Sequence, residues 1–182
     1  MATTRETLDA AIALEKESMS LYARLAKLFV RQPKLQDFWF GMARDEARHV
    51  GALDLVSTVL ELEGKLDVPS PISVEDSTIL RLRELLNRFH READAGLTIQ
   101  RALEMAVEVE ETELEDLVAD LLKAVQTDEY ERCLRLLVHD LGELGFMIEH
   151  HSQDISLLQR CDALCNRHAE ALRHYSTIHQ PN

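Results

Sequence analysis

From Leu8 to Phe29, apolar side chains return at alternating steps of three and four residues, through Ala11, Tyr22 and Leu25. That period lines one face of an α-helix but scatters over both faces of a strand, so this segment can bury its apolar groups only as a helix. Comparable stripes run through most of the 182 residues, and only six Gly and four Pro interrupt them. With Leu, Ala, Glu and Arg abundant, the expected fold is all-α. A hydrophobic content of 46% in a chain of this length suffices for one core, so a single domain over 1–182 is expected.

The boundaries of the helices follow from their caps and breakers. Thr3 with Glu6 forms a capping box opening a helix over about 4–31. Gln32-Pro33-Lys34 ends it, and a second helix carries Leu35, Trp39, Met42, Leu53, Val56 and Leu60 before Gly64 stops it. The connection is short enough to require an antiparallel hairpin, about 4–64. Pro69 and Pro71 keep the next segment from being helical throughout, because each removes a donor and disfavours helix at the residue before it. Ser73 and Asp76 then restart a shorter helix, about 74–92, with Ile79, Leu82, Leu85, Leu86 and Phe89. It is read as part of a crossover over about 65–93.

Gly96 marks the entry to a third long helix that shows Leu103, Ala106, Leu117, Leu121 and Ala124 to the core. Asp128 caps a fourth, whose stripe runs through Tyr130, Leu134, Leu137, Leu141, Leu144, Ile148, Ile155 and Leu158. These two form a second hairpin, about 95–176. Two antiparallel hairpins and a long crossover predict a four-helix bundle with a pseudo-twofold between its halves.

Charge and cysteine content narrow the function classes. The formal net charge of −13 disfavours nucleic acid and anionic membrane as partners and suits cations. The N-terminus lacks the apolar region of a signal peptide, and no run of about eighteen uncharged apolar residues occurs, so the expected location is the cytoplasm. Cys133, Cys161 and Cys165 lack the paired spacing of a disulfide framework.

The chain also repeats itself. Ala11-Ile12-Ala13-Leu14-Glu15-Lys16-Glu17 is echoed about 95 residues later by Ala106-Val107-Glu108-Val109-Glu110-Glu111-Thr112, which sets Glu110 over Glu15. Glu15 falls on the inward stripe 8, 11, 15, 18, 22, 25, 29. Glu46 and His49 fall on the inward stripe of the second helix, between Met42 and Leu53. Burying such groups is costly unless they are paired or bind a metal, and Glu-x-x-His places both side chains on one face within reach of one ion. Glu110 and Glu113, one turn apart in the third helix, complete a candidate set of five. Carboxylates with one imidazole suit iron or manganese better than copper or structural zinc. Tyr22 and Trp39 are read as core aromatics.

With Tyr22 seven positions after Glu15, Asp45-Glu46-Ala47-Arg48-His49 about thirty residues later and Glu110-Glu111-Thr112-Glu113 beyond, the chain resembles the ferritin-like superfamily. Within it, the similarity is to rubrerythrin-like diiron-carboxylate proteins, over most of residues 5–160. The resemblance implies a ferritin-like bundle and a di-iron centre, with manganese or zinc as alternatives, acting as an oxidoreductase on ferrous ion, dioxygen or peroxide. It implies Glu15 as a terminal ligand, Glu46 as a bridging one and His49 as the imidazole of the first iron, with Glu110 and Glu113 serving the second. Rubrerythrin's rubredoxin-like domain, with its two Cys-x-x-Cys pairs, has no counterpart here.

The repeat breaks in the fourth helix, where the family has a second Glu-x-x-His and the register gives Leu141 and Leu144. A slip of one residue would offer Asp140 and Glu143 instead, but it would expose two leucines and bury two acids, so the unslipped stripe is the expected one. An asymmetric two-metal centre, a single ion on Glu15, Glu46 and His49, and a metal-free polar core all remain open. His151 is read as a packed or capped histidine. Cys161, Cys165 and His168 are read as a packed or oligomer-facing stripe rather than a metal site. Two functions compete: a redox-active metalloprotein, and a non-catalytic bundle acting as an interaction module. A homodimer is expected, and two first hairpins could share one centre across its twofold.

Overall fold

Thr3 and Glu6 form the capping box that their spacing predicts. The Glu6 carboxylate accepts from the Thr3 N–H at 2.7 Å, and the Thr3 hydroxyl accepts from the Glu6 N–H at 3.2 Å. In the computed structural model, which describes residues 2–70, 77–112 and 129–178, this box opens helix α1, Thr4–Leu28. Helix α2, Pro33–Leu62, begins with a proline at its first turn, where a missing N–H costs nothing. Its end is a Schellman motif. The N–H groups of Gly64 and Lys65 donate to the carbonyls of Glu61 and Leu60 at 3.0 and 2.8 Å, and Gly64 takes the left-handed φ of 68° that the motif requires.

The chain after Gly64 runs back along the start of α1. Arg5 and Thr4 N–H donate to the carbonyls of Leu66 and Val68, both at 2.9 Å, and the Ser70 N–H donates to the Ala2 carbonyl at 2.9 Å. The first two satisfy amides that a helix N-terminus leaves without partners inside the helix. The Arg5 guanidinium grips Asp67 at 2.8 Å and holds that carboxyl below its ordinary range. Part of the expected crossover is therefore an ordered strap on the first hairpin.

Helix α3, Ser77–Ala95, packs against α1 and buries Ile79, Leu82, Leu86 and Phe89. Polar pairs flank this contact: Arg24 with Asp94, and His90 Nε2 with Glu17 at 3.3 Å. These three helices belong to one compact unit, which takes in the chain up to Gly96 and also Thr112. Apolar stripes from α1 (Leu8, Ala11, Leu21, Leu25) and α2 (Leu35, Trp39, Leu53, Val56) form its core. The restart at Ser73 and Asp76 lies outside the described residues.

Leu97–Glu111 and the chain from Glu129 onward belong to a second unit. Thr98 caps α4, Ile99–Glu110, accepting from the Arg101 N–H at 3.1 Å. The single long helix expected here is interrupted: α4 ends at Glu110 with Glu111 at its C-cap, so Glu113 is not one turn further along the same helix face. Leu117, Leu121 and Ala124, like the cap at Asp128, lie outside the described residues.

The fourth predicted helix is two helices. Helix α5, Glu129–His151, ends at His151, and α6, Ile155–Ile178, begins after three intervening residues. Asp154 makes the break: its carboxylate accepts from the Leu157 N–H at 3.1 Å, capping the new helix, while its own N–H donates to Ser152 Oγ at 3.0 Å. Helix α6 then folds back antiparallel on α5. Cys161 and Cys165 donate S–H bonds to the Leu141 and Val138 carbonyls, and Tyr130 meets Tyr175 edge-on with ring centroids 4.7 Å apart. Ile155, read as a core position, is exposed. Helix α4 packs against both α5 and α6.

The fold is all-α. Among the described residues the only β-type pairing is an isolated bridge between Thr3 and Pro69, and no helix is long and apolar enough to cross a membrane. Leu144 is completely buried, so Leu144→Ala is expected to lower the unfolding free energy by about 2–5 kcal/mol. Asp154→Ala, which removes only the cap, is expected to cost about 1 kcal/mol. Urea unfolding followed by circular dichroism measures both.

Candidate metal centre

The inward stripe of α1 delivers Glu15 between Ala11 and Ser18, and that of α2 delivers Glu46 and His49 one turn apart. The antiparallel hairpin brings them to one level. His49 Nδ1 stands 3.3 Å from Glu46 Oε2 and 3.6 Å from Glu15 Oε2. One ligand atom from each of the three residues lies within 4.8 Å of the others. Glu15, Glu46 and His49 are 0%, 5% and 4% exposed, so the cluster is shielded from solvent.

Electrostatics makes the metal-free cluster expensive. Among the described residues, no hydrogen bond reaches either oxygen of Glu15 or Glu46 Oε2. Burial, and then the charge of Glu15, push the Glu46 carboxyl well above its ordinary range, with His49 opposing the shift. Two buried carboxylates at this separation cannot both stay ionised without a counter-charge, so they share a proton or a cation. Oxygen and imidazole donors together form a set that could hold a metal ion. Asp45, the neighbouring acid, is engaged instead by Arg48 on its own helix.

Glu110, the counterpart of Glu15, is buried in the second unit at the end of α4, where its charge contributes to raising the Cys161 thiol. Glu113 lies outside the described residues. Leu141 and Leu144 are core residues of α5, as the unslipped register predicts, and Glu143 is exposed, so the Asp140 and Glu143 alternative does not form an inward pair. The reading of His151 as packed is corrected: it ends α5 in solvent, because the helix stops there. Cys161, Cys165 and His168 face α5 or pack within α6. Burial pushes the Cys161 thiol up to about 12, as expected of an inert packed cysteine. Among the described residues, Glu15, Glu46 and His49 are the one group with metal-ligand geometry.

Sequence reasoning passed over Ser18. It sits one turn after Glu15, 1% exposed, and no hydrogen bond reaches its hydroxyl among the described residues. The signal was a polar residue on an apolar stripe next to a candidate ligand. No protein-family model, characterised protein or solved structure matches the chain.

The raised Glu46 carboxyl gives the metal-free protein a defined pH dependence. The folded state keeps a proton that the unfolded chain loses above its ordinary value of 4.5, so this contribution is full below that pH and fades as pH rises through the higher folded value. Stability of the metal-free chain is therefore expected to fall as pH rises above 4.5, and Glu46→Gln is expected to flatten that fall. Urea midpoints collected across the range in the presence of a chelator provide the comparison.

Proposed function

We propose that this protein is a carboxylate–histidine metalloprotein of ferritin-like type that holds iron or manganese at Glu15, Glu46 and His49. The observation that carries the reading is the burial of two carboxylates and an imidazole with their ligand atoms inside 4.8 Å, while the Glu15 oxygens accept no hydrogen bond among the described residues. Such a group is destabilising as it stands and becomes favourable when a divalent ion replaces the shared proton. Bound iron or manganese would supply one-electron redox chemistry toward dioxygen or peroxide. The chain's own contribution is to fix three donors on rigid helices, to exclude bulk water, and to leave coordination positions unfilled by protein. A second centre using Glu110 would have no imidazole from α5.

A metal-free polar core is the competing reading, and the raised Glu46 carboxyl is the observation in its favour, since a neutral Glu46 can donate to Glu15. The two readings part under mutation. After anaerobic loading with ferrous or manganous ion and desalting, wild type is expected to retain about one ion per chain by elemental mass spectrometry. Glu46→Ala and His49→Ala are expected to lose at least tenfold in affinity. Retention near one ion per two chains would mean that two hairpins share a centre. No retention by wild type, with Glu46→Leu more stable than wild type, would overturn the metalloprotein reading.

A further inference from the structure

Two more buried polar atoms lie on the helices that carry the cluster, outside its ligand set. Ser18 is 1% exposed and Trp39 is 0% exposed. Among the described residues, neither Ser18 Oγ nor the Trp39 indole Nε1 has a hydrogen-bond partner. Both belong to the stripes that carry the cluster. Ser18 follows Glu15 by one turn, a rise of about 4.5 Å, and Tyr22 follows Ser18 by another. Trp39 precedes Glu46 by two turns and stacks on Tyr22, with ring centroids 6.0 Å apart and planes at 14°. Ser18 thus occupies the level between the cluster and the aromatic stack.

Chemistry narrows what can satisfy these atoms. A serine or threonine inside a helix can return its hydroxyl to the carbonyl four residues earlier, and Thr7 does this toward Thr3 at 3.2 Å on the same helix. Ser18 does not. The indole N–H can only donate, an ionised Glu15 can only accept, and a hydroxyl does both. A water molecule meets all three needs: it accepts from the indole, exchanges with the hydroxyl and donates to the carboxylate. Buried groups left without protein partners are ordinarily served by such water, which makes about three hydrogen bonds.

We infer that the α1–α2 hairpin contains a buried solvent site between the Glu15–Glu46–His49 cluster and the Tyr22–Trp39 stack, holding one or two water molecules on Ser18 Oγ, Trp39 Nε1 and Glu15. Taken with the metal reading on which this use of it rests, the site provides the solvent that fills coordination positions left open by three protein ligands. Ser18 is then a positioning residue, acting on the centre through water.

Trp39 is the sole tryptophan, so its indole N–H gives one unambiguous signal in a nitrogen–proton correlation spectrum. The test uses the full-length, metal-free, nitrogen-15-labelled chain and measures cross-relaxation between that indole proton and water. Wild type is expected to show the cross-peak of a long-lived bound water. Ser18→Ala is expected to weaken it at least twofold and shift the indole signal, and Ser18→Thr, which keeps the hydroxyl, is expected to restore it. An indole proton without a water cross-peak in wild type, or a cross-peak unchanged in Ser18→Ala, overturns the proposal. Should the variants fail to fold, the wild-type cross-peak decides alone, its presence supporting the site and its absence removing it. Because no metal takes part, failure here is distinct from failure of metal retention.

Discussion

Three ionisable side chains enclosed between α1 and α2 impose the strictest condition on this protein. A carboxylate in a low-dielectric interior carries a desolvation cost that surface charges never meet, and here two carboxylates meet with one imidazole. The hairpin must therefore be held together by everything around them. Apolar stripes on both sides of the cluster, from Leu8 and Ala11 through Leu53 and Val56, supply the burial. The capping box at Thr3, the Schellman motif at Gly64 and the strap over the start of α1 close the helix ends. Such rigidity is also what a preorganised ligand set needs.

The second unit treats the same repeated sequence differently. Glu110 keeps the place of Glu15 in the repeat, but α5 carries Leu141 and Leu144 where Glu46 and His49 stand in α2. Those leucines are buried in a helix whose neighbour is α6, and the Cys161 S–H rests on the Leu141 carbonyl. One hairpin gathers its buried acids and imidazole into a single cluster, while the other packs Leu141 and Leu144 in the equivalent places and keeps its buried polar groups apart from any such cluster among the described residues. The Glu111–Arg160 pair, at 2.6 and 2.8 Å, ties the end of α4 to α6 within that unit.

Particular residues show how far the chain could be read unaided. The stripes of α1 and α2 and their caps were legible, since a period of 3.6 residues and a Thr-x-x-Glu box are local signals. The end of α5 was not. Ile148 and Ile155 are seven residues apart, which imitates a continuing stripe, and the short polar sequence Ser152-Gln153-Asp154 that ends the helix was overlooked. His151 was misplaced for the same reason. Ser18 was legible only as one more position of the inward stripe, because period alone does not reveal whether a hydroxyl finds a partner.

The sequence by itself determined that the chain is helical, that Glu15 occupies the inward face of one helix and that Glu46 and His49 share the inward face of the next. Those properties follow from spacing along one helix and the short link at Pro33. Only the tertiary structure decided that His49 stands 3.3 Å from Glu46 and 3.6 Å from Glu15, that Ser18 and Trp39 bury polar atoms without a partner among the described residues, and that α6 turns back on α5. The reason is that periodicity specifies which face a helix buries, whereas the partner it buries that face against, and at what height, is chosen by side-chain packing and by caps such as Asp154.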